Sequence, residues 1–364
     1  MRVAELVPRG GSNRALERSA EQLAQGLVRL GVDTDVIPAP LRTRAPCPSA
    51  PRYDLVDVHG LEALKGFARA PIPTRRLVFT PHQTQPRPAV WRRLARRPFA
   101  SPVKALVASA HAVVCTSAGE ARLVTRVAPP VVDRIHLVPE GVDFAAVHRA
   151  PAMPTADPVV LAMGCRGSDD QVERLVAALA GLEDRLQLVV LGRHAGGRAL
   201  NSLAADLGVS ARVHFAGVVS AEERHRWIKT ARVVVALSDA PIFDAALLEA
   251  VCARAPIVAS DTVAHREMAQ YAPRGSVEFV SIPSSPLSLA DAIVHAESAR
   301  GVEAPLRLPS SDTQPARVLS VYRALLGRPR VVRLSAPERS APPKVNGGLT
   351  RLEQQSGPWQ PQPR

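Results

Sequence analysis

Short runs of aliphatic and β-branched residues alternate with helix-period segments along most of this chain, and a stretch rich in Pro and Ala interrupts the alternation near its middle. Few folds accept that order, because strands of unbroken apolar character separated by helices belong to parallel sheets covered on both faces. The first series of predicted strands is Arg2 to Val7, Thr34 to Ile37, Leu55 to Val58, Leu77 to Thr80, Ala112 to Cys115 and Ile135 to Val138. Between the first two, Leu16, Ala20, Leu23, Ala24, Leu27 and Leu30 follow the 3.6-residue period of an amphipathic helix that Gly31 ends. A second series runs through Val159 to Met163, Leu186 to Leu191, Val213 to Ala216, Val233 to Leu237, Ile257 to Ser260 and Ser276 to Val280. The prolines of residues 150–158 cannot sustain a helix or a central strand, so this segment is expected to be a linker. At 364 residues the chain also exceeds what one core usually serves. The expectation is an α/β protein with two Rossmann-like, doubly wound domains, 1–149 and 159–327, facing a cleft.

Charge placement narrows the partners. Of the net +13, most sits in two segments: the run from Arg87 to Lys104, with six bases and no acid, and residues 328–364. The latter are rich in Pro, Arg, Ser and Gln, a composition that cannot support a core, and are expected to be a disordered basic tail. Nucleic-acid binding is not expected, since no basic face interleaved with stacking aromatics is apparent. Trp91 with Arg92, Arg93, Arg96 and Arg97 instead suits contact with an anionic membrane surface, aromatics settling at the interface and guanidinium groups meeting phosphates. No stretch reaches the roughly 18 apolar residues of a membrane span. Four dispersed cysteines signal neither a zinc site nor a disulfide framework, and a cytoplasmic location, peripheral on the inner face of the plasma membrane, is the expectation.

Several segments then recur in a familiar order. They are Met1-Arg2-Val3 to Pro8, Glu17-Arg18, Tyr53 to Gly60, Thr80-Pro81-His82, Ala110 to Ser117 and Leu137-Val138-Pro139-Glu140-Gly141-Val142-Asp143. In the second half they are Val213 to Gly217, Ala221-Glu222-Glu223, Ala231 to Ser238, and Glu249-Ala250 followed by Ala255 to Asp261. Together they resemble the family-4 type of retaining GT-B glycosyltransferases from Met1 to about Leu326. The resemblance implies the GT-B fold, a nucleotide-sugar donor on the second domain, an acceptor on the first, and no essential metal or cofactor.

It also implies site residues, and it exposes departures. Glu249 matches the second Glu of the family's paired-Glu motif, which accepts hydrogen bonds from ribose hydroxyls, but its partner position holds Pro241. Phe243, Asp244 and Leu248 accompany it on the donor side, with Asp244 where the family has Gly. After the first strand of the second domain, Gly164 and Arg166 resemble the phosphate-binding loop, with Arg193 as a further cation. The expected Lys is replaced by Asp170. His82 stands where the family has a His near the reacting sugar, so His82 and Arg166 are the implied catalytic pair. Gly10 and Gly11 resemble the flexible loop over the donor. The implied activity is transfer of a sugar from a UDP- or GDP-sugar to a hydroxyl of a cell-envelope, polysaccharide or lipid-linked acceptor, with retention. The alternative is a catalytically degenerate member serving as a binding or scaffolding subunit, which the changes at Cys165, Asp170, Pro241 and Asp244 favour.

Overall fold

The computed structural model describes residues 1–8, 14–39, 52–82, 102–163, 170–192, 197–238, 245–298 and 308–327. The first half builds a parallel sheet from β1 (Arg2–Val7), β2 (Asp33–Pro38), β3 (Tyr53–His59), β4 (Thr74–Thr80), β5 (Ala112–Cys115) and β6 (Ile135–Leu137), ordered β2-β1-β3-β4-β5-β6. Its helices are α1 (Arg14–Arg29), α2 (Gly60–Arg69), α3 (Pro102–Ser109) and α4 (Ala118–Val127). The order reverses direction between β1 and β3, where Val3 registers with Leu55 and Leu6 with Val58. In such sheets the strand C-termini at the reversal point open the crevice that takes ligands.

The second half repeats the construction. β7 (Val159–Ala162), β8 (Gln187–Leu191), β9 (Val213–Gly217), β10 (Val233–Ala236), β11 (Ile257–Ser260) and β12 (Val277–Val280) lie in the order β12-β11-β10-β7-β8-β9, all parallel. Its reversal point lies between β7 and β10. Helices α6 (Asp170–Leu179), α7 (Arg198–Asp206), α8 (Ala221–Thr230), α9 (Ala245–Cys252), α10 (Val263–Ala269) and α11 (Pro286–Ser298) cover the faces. Aliphatic side chains fill both cores, with Val160, Leu175, Leu179 and Leu188 on one face of the sheet and Leu161, Val234, Leu248 and Ile257 on the other. Each such side chain contributes about 1.5–3 kcal/mol when fully buried.

Two elements change the expected division into 1–149 and 159–327. Helix α5 (Phe144–Arg149) caps on Asp143, whose carboxylate accepts from the Ala146 amide, and its Val147 joins the core of the second half. Helix α12 (Gln314–Leu325) returns to the first half, where Val318, Leu319, Val321 and Tyr322 pack with Val3, Leu27, Leu55 and Val78. The chain therefore crosses twice, at 139–142 and at 308–313. The crossings run side by side, Val142 N donating to Pro309 O at 2.9 Å and Ser311 N to Val142 O at 3.0 Å. A Cβ on Gly141 would stand 2.1 Å from the Ser310 carbonyl carbon, so only glycine lets the two backbones come this close. Gly26 plays the same part between α1 and α12, its missing Cβ leaving room for the Pro315 ring. Residues 328–364, expected to be disordered, lie outside the described residues, and among the described residues no helix is long and apolar enough to cross a membrane.

Candidate functional site

On the second sheet the reversal point is flanked by Glu249, one turn into α9. Its carboxylate is held by Arg224 on α8 in a two-pronged pair, Nε to Oε2 at 2.6 Å and Nη2 to Oε1 at 2.8 Å, with His225 Nε2 3.3 Å from Oε1. The planar guanidinium matches the carboxylate fork and fixes its orientation. Burial by itself pushes the Glu249 carboxyl up; Arg224, then His225, outweigh burial and hold it below the ordinary value. A carboxylate has about four lone-pair directions. Among the described residues Arg224 and His225 engage three of them, which leaves one direction for a further donor. Leu248, expected to meet the donor, is fully buried in the core beneath α9 and supports the helix from below. Asp170 opens α6 as an exposed residue, its carboxylate joined in that helix's first turn by Glu173. There it competes with any external anion for the positive end of the helix.

On the first sheet the reversal point is filled by a buried polar network. Glu5 in β1 and Asp57 and His59 in β3 have no solvent exposure. His59 Nε2 lies 2.5 Å from Glu5 Oε2, and its Nδ1 lies 2.9 Å from Nε2 of His82. The other ring nitrogen of His82, Nδ1, is 3.3 Å from Glu140 Oε1, which also accepts from Ser19 Oγ at 2.9 Å. Tyr322, reaching in from α12, donates its single phenolic proton to Asp57 Oδ2 at 2.6 Å, with Glu5 Oε1 at 3.2 Å, and the Thr80 hydroxyl donates to Asp57 at 2.8 Å. Burial pushes the Glu5 carboxyl up despite His59. Burial also works against charge on His59, yet Asp57 and then Glu5 prevail and raise it. The two groups meet across this short contact. Glu5, Asp57 and His59 present ligand atoms within 4.8 Å of one another, a spacing a cation would accept. Those atoms already bond to Tyr322, Thr80 and each other, so the arrangement is that of a hydrogen-bonded network.

The halves also meet through Glu267 on α10. Its carboxylate accepts from the backbone amides of Ala118 at 2.6 Å and Gly119 at 3.2 Å, at the start of α4. A carboxylate from the second half thus occupies the positive end of a helix in the first. Ser117 completes that terminus by accepting from the Glu120 amide.

Several expected site residues, Gly10, Gly11, Trp91, Arg92, Arg93, Arg96, Arg97, Gly164, Arg166, Arg193, Phe243 and Asp244, lie outside the described residues. Of the basic run, Lys104 is described. It is buried in α3, which removes it from any membrane-facing surface. His82 is at the expected strand end, with φ at +37°, a left-handed backbone that is uncommon for a side chain of this size. Both of its nitrogens face protein groups. Sequence reasoning missed Arg224, His225, Glu267 and the network partners of His82. Glu5 alone left a visible signal, a carboxylate in the middle of an apolar strand.

Residues 157–298 match the family described as glycosyl transferases group 1, and residues 49–146 match glycosyltransferase family 4. A D-inositol 3-phosphate glycosyltransferase of Xylanimonas cellulosilytica is 30% identical over 173 residues, 43% of this chain and 42% of that protein. The match thus spans less than half the length of this curated relative. Among solved structures, the Anabaena protein HepE in complex with UDP-glucose superposes with a TM-score of 0.64 at 17% identity, over 90% of this chain and 98% of the other. Sucrose-phosphate synthase from Thermosynechococcus elongatus gives 0.62 at 18% identity, over 89% and 96%.

Proposed function

Because the chain belongs to the family-4 type of GT-B glycosyltransferases, we propose that it transfers a sugar from a UDP- or GDP-linked donor to a hydroxyl of a cell-envelope, polysaccharide or lipid-linked acceptor. Retention of configuration, transfer without an essential metal, and a cytoplasmic site of action peripheral to the membrane are parts of the same reading. The observation that carries it is the fixed carboxylate of Glu249 on the helix that follows β10, one of the two strands at the reversal point of the second sheet. Held by Arg224, it presents a preset acceptor to a ribose hydroxyl and loses no orientational freedom when the nucleotide binds. In this reading the diphosphate lies towards the starts of α6 and α9, where backbone amides and the helix dipoles favour negative charge. Charge that develops on the leaving diphosphate is stabilised there and by Arg166. The acceptor lies against the first half.

The second reading, a binding or scaffolding subunit, is favoured by one observation, the exposed Asp170 carboxylate at the first position of α6. At ~4 Å and an effective dielectric of about 20, exchanging attraction for repulsion there is worth several kcal/mol before solvent screening. Calorimetric titration with a panel of UDP- and GDP-sugars, alongside product formation, separates the two. Binding lost in Glu249→Ala and accompanied by turnover supports transfer. Binding that appears only in Asp170→Lys supports the degenerate reading.

A further inference from the structure

His82 is held from two sides, and the holding groups fix where its proton sits. A carboxylate oxygen repels the lone pair of an imidazole nitrogen and attracts its N–H, so Nδ1, 3.3 Å from Glu140 Oε1, carries the proton. In a neutral ring Nε2 is then an acceptor. It faces Nδ1 of His59 at 2.9 Å, which therefore donates. This leaves His59 Nε2 against Glu5 Oε2 at 2.5 Å, and the order requires one proton between them. The order of donors and acceptors is thus set from the Glu140 end. Glu5, His59 and His82 are buried, whereas the Glu140 side chain keeps 21% of its exposure.

We propose that Glu140 is the positioning residue for His82, and that Glu5, His59, His82 and Glu140 form one directional relay from the buried middle of β1 to the edge of the first sheet. The groups facing the relay include, among the described residues, Asp57 on β3, Thr80 at the end of β4, Ser19 on α1 and Tyr322 on α12. Asp57 is itself satisfied by Thr80 and Tyr322. In the resting order neither nitrogen of His82 is turned to a ligand. Reversing the order moves three protons by one contact each: the proton between Glu5 and His59 settles on His59 Nε2, that of His59 Nδ1 passes to His82 Nε2, and that of His82 Nδ1 passes to Glu140. Protons balance, no co-reactant enters, and the net result is one proton fewer on Glu5 and one more on the partly exposed Glu140. The relay also accounts for the left-handed backbone at His82, since a conformation costing on the order of 1–3 kcal/mol persists only where its surroundings over-determine it.

The test is spectroscopic and independent of activity, while its consequence for transfer rests on the function proposed above. The full chain labelled with 15N-histidine is compared with Glu140→Gln, Glu140→Leu and, for assignment, His82→Gln, by long-range 1H–15N correlation at neutral pH. We expect His82 to be Nδ1-protonated in the wild type and in Glu140→Gln, whose amide oxygen still accepts, and to shift towards the Nε2-protonated form in Glu140→Leu. An Nε2-protonated His82 in the wild type would overturn the proposal. So would an unchanged tautomer in a Glu140→Leu protein whose thermal transition is intact. Should Glu140→Leu fail to fold, the wild-type and Glu140→Gln spectra decide alone. For transfer, Glu140→Leu should lower kcat on the order of tenfold or more with the donor KM little changed, as expected when a positioned group is released. Absence of transfer by the wild type would count against the proposed function and leave the tautomer result standing.

Discussion

Replacing Tyr322 by Phe removes one hydroxyl and little volume, and the structure says what that hydroxyl holds. Its proton goes to Asp57 Oδ2 at 2.6 Å, in a site where Asp57, Glu5 and Tyr322 itself have no solvent exposure. Without it, Asp57 keeps only the Thr80 hydroxyl among its described donors. Leaving a buried acceptor short of a partner costs about 1–3 kcal/mol, more when it is charged. For 150–250 residues each kcal/mol moves a melting midpoint by roughly 2–4 °C, so Tyr322→Phe should melt about 2–12 °C below the wild type. Circular dichroism melts at neutral pH measure this. A cycle with Asp57→Asn adds specificity: residues in direct contact should couple by about 0.5–3 kcal/mol. A midpoint within 1 °C of the wild type, or strictly additive effects in the cycle, would refute the view that the phenol holds the network together and pins α12 to the first half.

Three further outcomes follow from contacts elsewhere. Because Glu249 is held below its ordinary value, its pair with Arg224 contributes fully above the unfolded carboxylate pKa of about 4.3 and is lost as pH falls through the lower folded one. In urea unfolding, the stability gap between wild type and Glu249→Gln should therefore be widest at pH 5 and above and shrink below about pH 4; a gap that widens on acidification contradicts the pairing. Glu267→Ala removes the carboxylate that joins α10 to the Ala118 and Gly119 amides, and small-angle scattering should report a larger radius of gyration than for the wild type, with no change counting against the bridge. Burial pushes the Cys115 thiol up and the Cys252 thiol up to about 11, so peptides carrying them should stay unmodified by iodoacetamide at pH 8 in the native protein and label readily in urea.

Most of the twelve strands were legible because they are short, largely apolar runs bounded by turn residues or a helix-period segment, a pattern that central strands of parallel sheets reward on both faces. Helix α12 was legible as a helix but not as part of the first half, since an amphipathic face shows that something covers it and not which sheet. The contact that decides, Tyr322 with Glu5, spans 317 positions. Glu5 reads along the chain only as an interruption of β1, and its partners His59 and Tyr322 become neighbours through strand order and the return crossing. On the second sheet, Glu249 was singled out by its resemblance to the family's paired-Glu motif. Arg224 was not, because within Glu222-Glu223-Arg224-His225-Arg226 one more charge looks like a solvated helix face. Gly141 belonged to a recognised segment, and the physical reason for it is the Ser310 backbone packed against it.

The measurement closest to the central claim is calorimetric binding of UDP-glucose and the other UDP- and GDP-sugars to the unmodified full chain, followed by product analysis with a hydroxyl acceptor. The account predicts saturable binding of at least one nucleotide sugar, weakened about tenfold or more by Glu249→Ala as a hydrogen bond to a charged group is lost, with transfer of the sugar to the acceptor. Absence of binding by every member of the panel, or binding that Glu249→Ala leaves unchanged, would contradict it.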